Sequence, residues 1–207
     1  MNMPITLDFD DVLQGQEDFT VPYEVVRMNK DLAERKLIIN KEIDNDMVEY
    51  ADYIQQWNLE DIDTPIENRK PIKIFINSNG GDPNMALYLV DTINASDTPV
   101  YTVGMSACCS AALYILLAGH KRFMFQNAFA VIHDGSILIE NVFAKGKDQF
   151  NFFEIMHKKQ DELIRSRTKI KQKDLDKNFR NDWFIVAEDC LKFGIVDKII
   201  KNLREVF

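Results

Sequence analysis

Cysteine is scarce in this chain and badly spaced for structural work. Of the 3 cysteines, Cys108 and Cys109 are adjacent and Cys190 is remote. That spacing makes a poor disulfide framework, and no CxxC or Cys/His pattern offers a zinc site. No structural metal and no cofactor are therefore expected. Basic runs are also missing: Lys and Arg never extend beyond two in a row, and the formal net charge is −8. A nucleic-acid partner would normally meet a basic face, so that class is disfavoured. Long apolar runs are absent as well. The longest, residues 107–119, spans about 13 positions where a membrane helix needs ~20, so it reads as a buried core helix and no membrane role is expected. The opening MNMPITLDFDDV is acidic and lacks a basic stretch followed by an apolar one. No signal peptide is expected, and the chain reads as cytoplasmic.

What is present suits a globular domain. With 207 residues, 46% of them hydrophobic, the chain can bury a substantial core, and a disordered chain is excluded. No internal repeat or low-complexity linker divides it. Residues 1–35 read as an acidic N-terminal arm with one short strand near residues 23–26. Residues 36–40 (KLIIN) and 72–76 have the β-branched content of buried strands. Asp44 is placed to cap a helix running to Trp57, and residues 58–70 read as a surface loop. A helix over residues 85–93 ends at Thr98-Pro99, and residues 100–103 form a third strand. Residues 147–169 read as a long helix, 173–180 as a polar helical segment and 183–186 as a short apolar run. A last helix is stopped by Gly194, and residues 195–200 return as a strand. Alternating strands and helices imply βαβ units on a largely parallel sheet, an α/β fold.

The chemistry concentrates in GMSACCSAALYILLAGHKRFMFQNAFAVIH, residues 104–133. A small-residue turn is expected to deliver Ser110 to the head of an apolar helix, residues 111–118. A polar turn and a strand then end on His133. A hydroxyl at a helix N-terminus, where a developing anion is favoured, and an imidazole at a strand end have the form of nucleophile and base. The N–H of Ala111 and the Gly80-Gly81 turn are placed to bind an oxyanion. Blander readings stand beside these: a serine there also serves as an N-cap, and Gly-Gly after a strand also serves as a plain turn. His120 in a charged turn and His157 on a charged helix are weaker bases.

Four blocks in matching order carry a family resemblance. They are Ile76-Asn77-Ser78-Asn79-Gly80-Gly81, Ser110-Ala111-Ala112 through Ala118-Gly119, Met124 to His133, and Asp182 through Ala187-Glu188 to Gly194-Ile195-Val196-Asp197. Over about residues 36–200 the chain resembles ClpP, the Clp protease proteolytic subunit, and in type the ClpP-like proteins of phages and prophages. The resemblance implies a ClpP/crotonase-like α/β fold of repeated βαβ units. A projecting handle of strand plus long helix would occupy about residues 134–170, and residues 201–207 would form a C-terminal tail. It implies Ser110 as nucleophile, His133 as general base and Asp182 as the carboxylate that orients it, with Gly81 and Ala111 as oxyanion-hole donors. Asp134 and Asp197 are weaker third members.

Three departures accompany the match. Ser106 stands where the family has a glycine four residues before its nucleophile, and a shifted alignment would put Cys108 in the nucleophile position. Asn79 replaces the proline of the glycine turn. The Pro and Gly-Gly expected after His133 are replaced by residues 137–141. The implied function is a serine endopeptidase acting on peptides or unfolded proteins inside a chamber of self-associated rings, heptameric and stacked in pairs. An ATP-driven unfoldase is a further partner that the resemblance raises. A catalytically silent subunit of the same fold and a crotonase-like acyl-CoA enzyme are the alternatives.

Overall fold

A computed structural model describes residues 22–136, 138–178 and 180–207. The chain divides between Glu34 and Arg35. Before that point lies α1, Tyr23–Ala33, none of whose side chains is buried. A strand near residues 23–26 was the expectation, and the helix is the correction. Pro22 at the N-cap, Glu24 in the first turn and Lys30 in the last suit the helix dipole and outweigh the β-branched pair Val25-Val26.

After Arg35 the backbone is a seven-stranded sheet. Strands β1 (Lys36–Ile39), β2 (Ile72–Ser78), β3 (Val100–Cys109), β4 (Lys121–Phe125) and β7 (Lys198–Ile200) form one parallel path in the order β1-β2-β3-β4-β7. A branch leaves it: β5 (Phe129–Ile132) runs parallel to β3, and β6 (Trp183–Val186) runs antiparallel to β5. Strand β2 is buried at six of its seven positions, as expected for a parallel strand covered on both faces.

Strand β3 explains the branch. Its first half, Tyr101 to Gly104, pairs with β4, and its second half, Ala107 to Cys109, pairs with β5. The small residues 104–109 were expected to form a turn. Instead they extend the strand, because Cys108 is held by Ser78 on one side and Ala130 on the other. Pairing from two neighbours overrides the low strand propensity of Gly and Ala. The run expected as one strand up to His133 is in fact two, β4 and β5, divided by residues 126–128.

Helices cover the sheet. They are α2 (Met47–Glu60), α3 (Pro83–Asn94), α4 (Ala111–Ala118), α5 (Phe143–Arg167), α6 (Gln172–Asn178) and α7 (Ala187–Phe193). All eight residues of α4 are buried, so it has no polar face. It packs on β3, α3 and α5. Its terminal carbonyls are capped from outside: Arg167 donates to Leu117 O at 3.0 Å and to Ala118 O at 2.7 Å. Phe75, Val103, Phe123 and Ile200 form an apolar cluster that Val206 closes, while Phe207 stacks on Phe75. The last residues therefore pack onto the sheet rather than trailing from it. Among the described residues, no helix is long and apolar enough to cross a membrane.

Candidate active site

The site is built at the ends of three neighbouring strands. Ser110 follows the last residue of β3 and adopts φ 53°, ψ −126°. A non-glycine residue in this region carries roughly 1–3 kcal/mol of strain and persists only where its surroundings enforce it. Three bonds and contacts do so here. Ser110 N–H donates to Val131 O at 2.9 Å, and Ser110 O accepts from Leu113 N–H at 2.9 Å. On the third side Gly80 leaves no room, since a Cβ there would lie 2.8 Å from Ser110 Cβ. The Ser110 hydroxyl does not cap α4. A sharp strand-to-helix turn of this kind raises a hydroxyl out of the backbone while leaving a helix N-terminus behind it.

His133 is the residue after β5, and Asp182 is the residue before β6. The antiparallel register pairs Phe129 with Val186 and continues to Ile132 with Trp183. Just beyond that last pair, His133 leaves β5 and Asp182 leads into β6 at the same end of the ladder. Register between β3 and β5, Cys109 with Val131, brings Ser110 level with the same end. Asp182 also makes itself felt on Cys109, whose thiol is pushed up first by burial and then by the Asp182 charge. His133, half-buried, uses Nδ1 to accept the Gly135 N–H at 3.2 Å. In this arrangement Nδ1 faces the following turn and not the Asp182 carboxylate.

The glycine turn is bound from the other side. Ile43 N–H donates to Gly80 O at 2.8 Å, and Asp82 N–H donates to Ile43 O at 2.7 Å. Those two bonds leave the Gly81 N–H outside the bridge. Gly80 and Gly81 have φ 104° and 144°, which only glycine adopts readily, and a Cβ on Gly81 would fall 2.3 Å from Ile43 O. Ala111 is the first residue of α4, so its N–H has no partner within the helix. It lies 3.2 Å from where a Gly80 Cβ would be, which puts the glycine turn and the helix N-terminus side by side.

The remaining candidates separate cleanly. Cys108 is fully buried inside β3, and burial drives its thiol far above the ordinary range. The nucleophilic thiolate is disfavoured there. Asp134 is exposed. Asp197 grips Arg122, accepting from the backbone N–H at 2.8 Å and from Nη2 at 2.6 Å. His120 Nδ1 accepts the Val100 N–H at 2.8 Å, a structural role. His157 lies 3.9 Å from Asp161 on α5.

Two contributors were missed in the sequence. Asn77 Oδ1 accepts from Ala107 N–H at 3.1 Å, and its Nδ2 donates to Asn40 Oδ1 at 2.6 Å, tying the glycine turn to β3 and to the end of β1. Ser78 Oγ accepts the Gly80 N–H at 3.1 Å. Asn and Ser organise turns by such local bonds, so their place ahead of Gly-Gly was a usable signal.

This geometry defines an α/β protein with a hydroxyl, an imidazole and a carboxylate at neighbouring strand ends, beside a glycine turn and a helix N-terminus. The sequence profile of the Clp protease family matches residues 23–203, and the chain belongs to that family. It is 32% identical over 181 residues to the ATP-dependent Clp protease proteolytic subunit 2 of Treponema denticola, covering 86% of this chain and 88% of that one. To the subunit of the same name in Treponema pallidum it is 28% identical, covering 95% and 97%. A mutant ClpP1 from Listeria monocytogenes has a similar fold, with a TM-score of 0.72 at 25% identity, over 87% of this chain and 99% of that chain.

Proposed function

We propose that this protein is a serine endopeptidase of ClpP type, with Ser110 as nucleophile, His133 as general base and Asp182 as the group that orients His133. The observation that carries this reading is the register that sets Ser110, His133 and Asp182 at one end of β3, β5 and β6. Family membership supports it. The Ser110 Oγ attacks the peptide carbonyl as His133 Nε2 takes its proton. The oxyanion is held by the N–H groups of Gly81 and Ala111, with the N-terminal dipole of α4 behind them. His133 then protonates the departing amine, leaving an acyl ester on Ser110. Water, deprotonated by His133, hydrolyses that ester and regenerates the hydroxyl. The productive form requires His133 Nδ1 to exchange the Gly135 N–H for the Asp182 carboxylate. Cys108 is the weaker nucleophile, since no substrate carbonyl reaches a thiol enclosed within β3.

Its relatives are named proteolytic subunits of an ATP-dependent protease. On that basis this chain assembles with copies of itself into rings that enclose the sites, and an ATPase delivers unfolded protein to them. Phe143, Phe150, Phe152 and Ile155 on α5 are exposed and suit such assembly. The test is turnover of unfolded casein and of a fluorogenic peptide by the assembled protein. Ser110→Ala abolishes both, and Cys108→Ala retains both. The competing reading, a silent subunit held with His133 on Gly135, predicts no turnover by the wild type in any assembly state.

A further inference from the structure

Beside the candidate nucleophile lies an open depression of about 450 Å³, formed by residues 40–42 and 77–81. Gly80 joins the two places, because the space where its Cβ would sit is bounded by Ser110 Cβ at 2.8 Å and Ala111 N at 3.2 Å. A peptide whose carbonyl sits between Ser110 and the Gly81 N–H therefore runs alongside this depression.

No hydrophobic side chain lines the depression. Most of its polar groups are already engaged. Asn77 is bonded to Asn40 and Ala107, and Ser78 is bonded to Gly80. Lys41 is tied to Asp46 by a short hydrogen bond and lies 3.8 Å from Asp44. Glu42 is different. It is exposed, its Cγ lies 2.8 Å from where a Gly81 Cβ would be, and its carboxylate has no hydrogen bond or ion pair among the described residues. The one uncommitted charge on this wall is negative and sits against the candidate oxyanion donor.

We propose that Glu42 is a specificity determinant, and that the depression it borders favours a basic side chain within a residue or two of the scissile bond. The proposal rests on Ser110 being the nucleophile. An apolar side chain placed here buries nothing apolar and strips water from amides and a carboxylate. A Lys or Arg side chain lays its methylenes on the glycine turn and brings its charge to Glu42.

The experiment uses the full-length assembled protein and quenched fluorogenic peptides. The peptides are identical except for Lys, Leu or Glu at each position flanking the cleaved bond. At one position wild type favours Lys over Leu and Leu over Glu in kcat/KM. An ion pair near the surface contributes up to ~1 kcal/mol, so the Lys-to-Leu ratio drops about three- to fivefold in Glu42→Gln. In Glu42→Lys the Lys-to-Glu preference inverts. A wild-type preference for Leu at every position, or a Lys-to-Leu ratio shared by wild type and both variants, overturns the proposal. Labelling of Ser110 by a small uncharged fluorophosphonate separates the two levels. With labelling present and ratios unmoved, only the Glu42 subsite falls; with no labelling, the catalytic reading falls and takes the subsite with it.

Discussion

The two edges of the parallel sheet are built on opposite principles. At the edge where the parallel strands begin, polar groups are saturated. Arg35, just before β1, makes a two-pronged contact with Asp61, Nη1 to Oδ2 at 2.5 Å and Nη2 to Oδ1 at 2.9 Å. Asp61 also accepts from Thr98 Oγ1 at 2.8 Å, just before β3, and Asn58 bonds Thr98 N–H and Ser96 Oγ. Each edge holds one non-glycine residue at positive φ, Arg35 at 48° and Ser110 at 53°, but at the edge where the strands end polar groups are left unengaged. Ala111 N–H has no helical partner, and the Gly81 N–H lies outside the bridge to Ile43. Parallel sheets place ligands beyond the carboxyl ends of their strands. The lesson is that stability is concentrated at one edge so that the other can hold unmade bonds ready for a substrate.

Substitutions that break this contrast should differ in kind as well as size. Ser110→Ala removes the proposed nucleophile, and peptide turnover should drop by at least about 10⁴-fold with thermal unfolding unchanged. In the proposed productive form Asp182 fixes the imidazole, so in Asp182→Asn kcat should fall about 10³-fold. Asp61→Ala acts on the opposite edge. Removing Asp61 leaves Arg35 only the Lys70 carbonyl and the longer Glu60 contact at 3.4 Å, so chemical denaturation should show a loss of about 3 kcal/mol, with activity per folded molecule retained.

The same clasp gives a pH dependence whose sign is fixed. The Arg35 hydrogen bond foremost, with Thr98 assisting, holds the Asp61 carboxyl below its usual range. The clasp therefore contributes fully above the ordinary carboxylate pKa and fades as pH falls through the lowered one. Acid unfolding of Asp61→Asn should show a shallower loss of stability across that window than wild type. Gly80→Ala is the subtlest probe. Its Cβ would stand 2.8 Å from both Cys109 O and Ser110 Cβ, at φ 104°. Ser110 must shift, so activity should fall about 10²-fold for a stability loss of only about 1–3 kcal/mol.

Legibility in the sequence followed the same divide between regular and irregular structure. Apolar runs announced β2 and α4, which bury nearly every residue, so composition alone marks them. The helix Ala187–Phe193 buries only Ala187 and Cys190 and was marked instead by the glycine that ends it, Gly194 at φ 72°. Strand β3 from Gly104 to Cys109 was not legible, because its small residues have little strand propensity and are held by pairing to β2 and β5. The helix Tyr23–Ala33 was misread because Val25-Val26 suggested a strand locally. The C-terminal residues gave no hint that Val206 and Phe207 would cover Phe75, a contact made only once the sheet exists. At the site, motif blocks offered the candidate residues. What they could not supply was register, and it is the β5–β6 ladder, ending on Ile132 with Trp183, that brings His133 and Asp182 to one end. Nor could they reveal that His133 Nδ1 takes the Gly135 N–H.

The central claim is that the strained residue at the end of β3 is the nucleophile. It is tested most directly by treating the assembled protein with a fluorophosphonate and mapping the adduct by mass spectrometry. The account predicts a single adduct on Ser110, lost in Ser110→Ala and in wild type unfolded before treatment. An adduct on Cys108, or well-assembled protein with none, would contradict it.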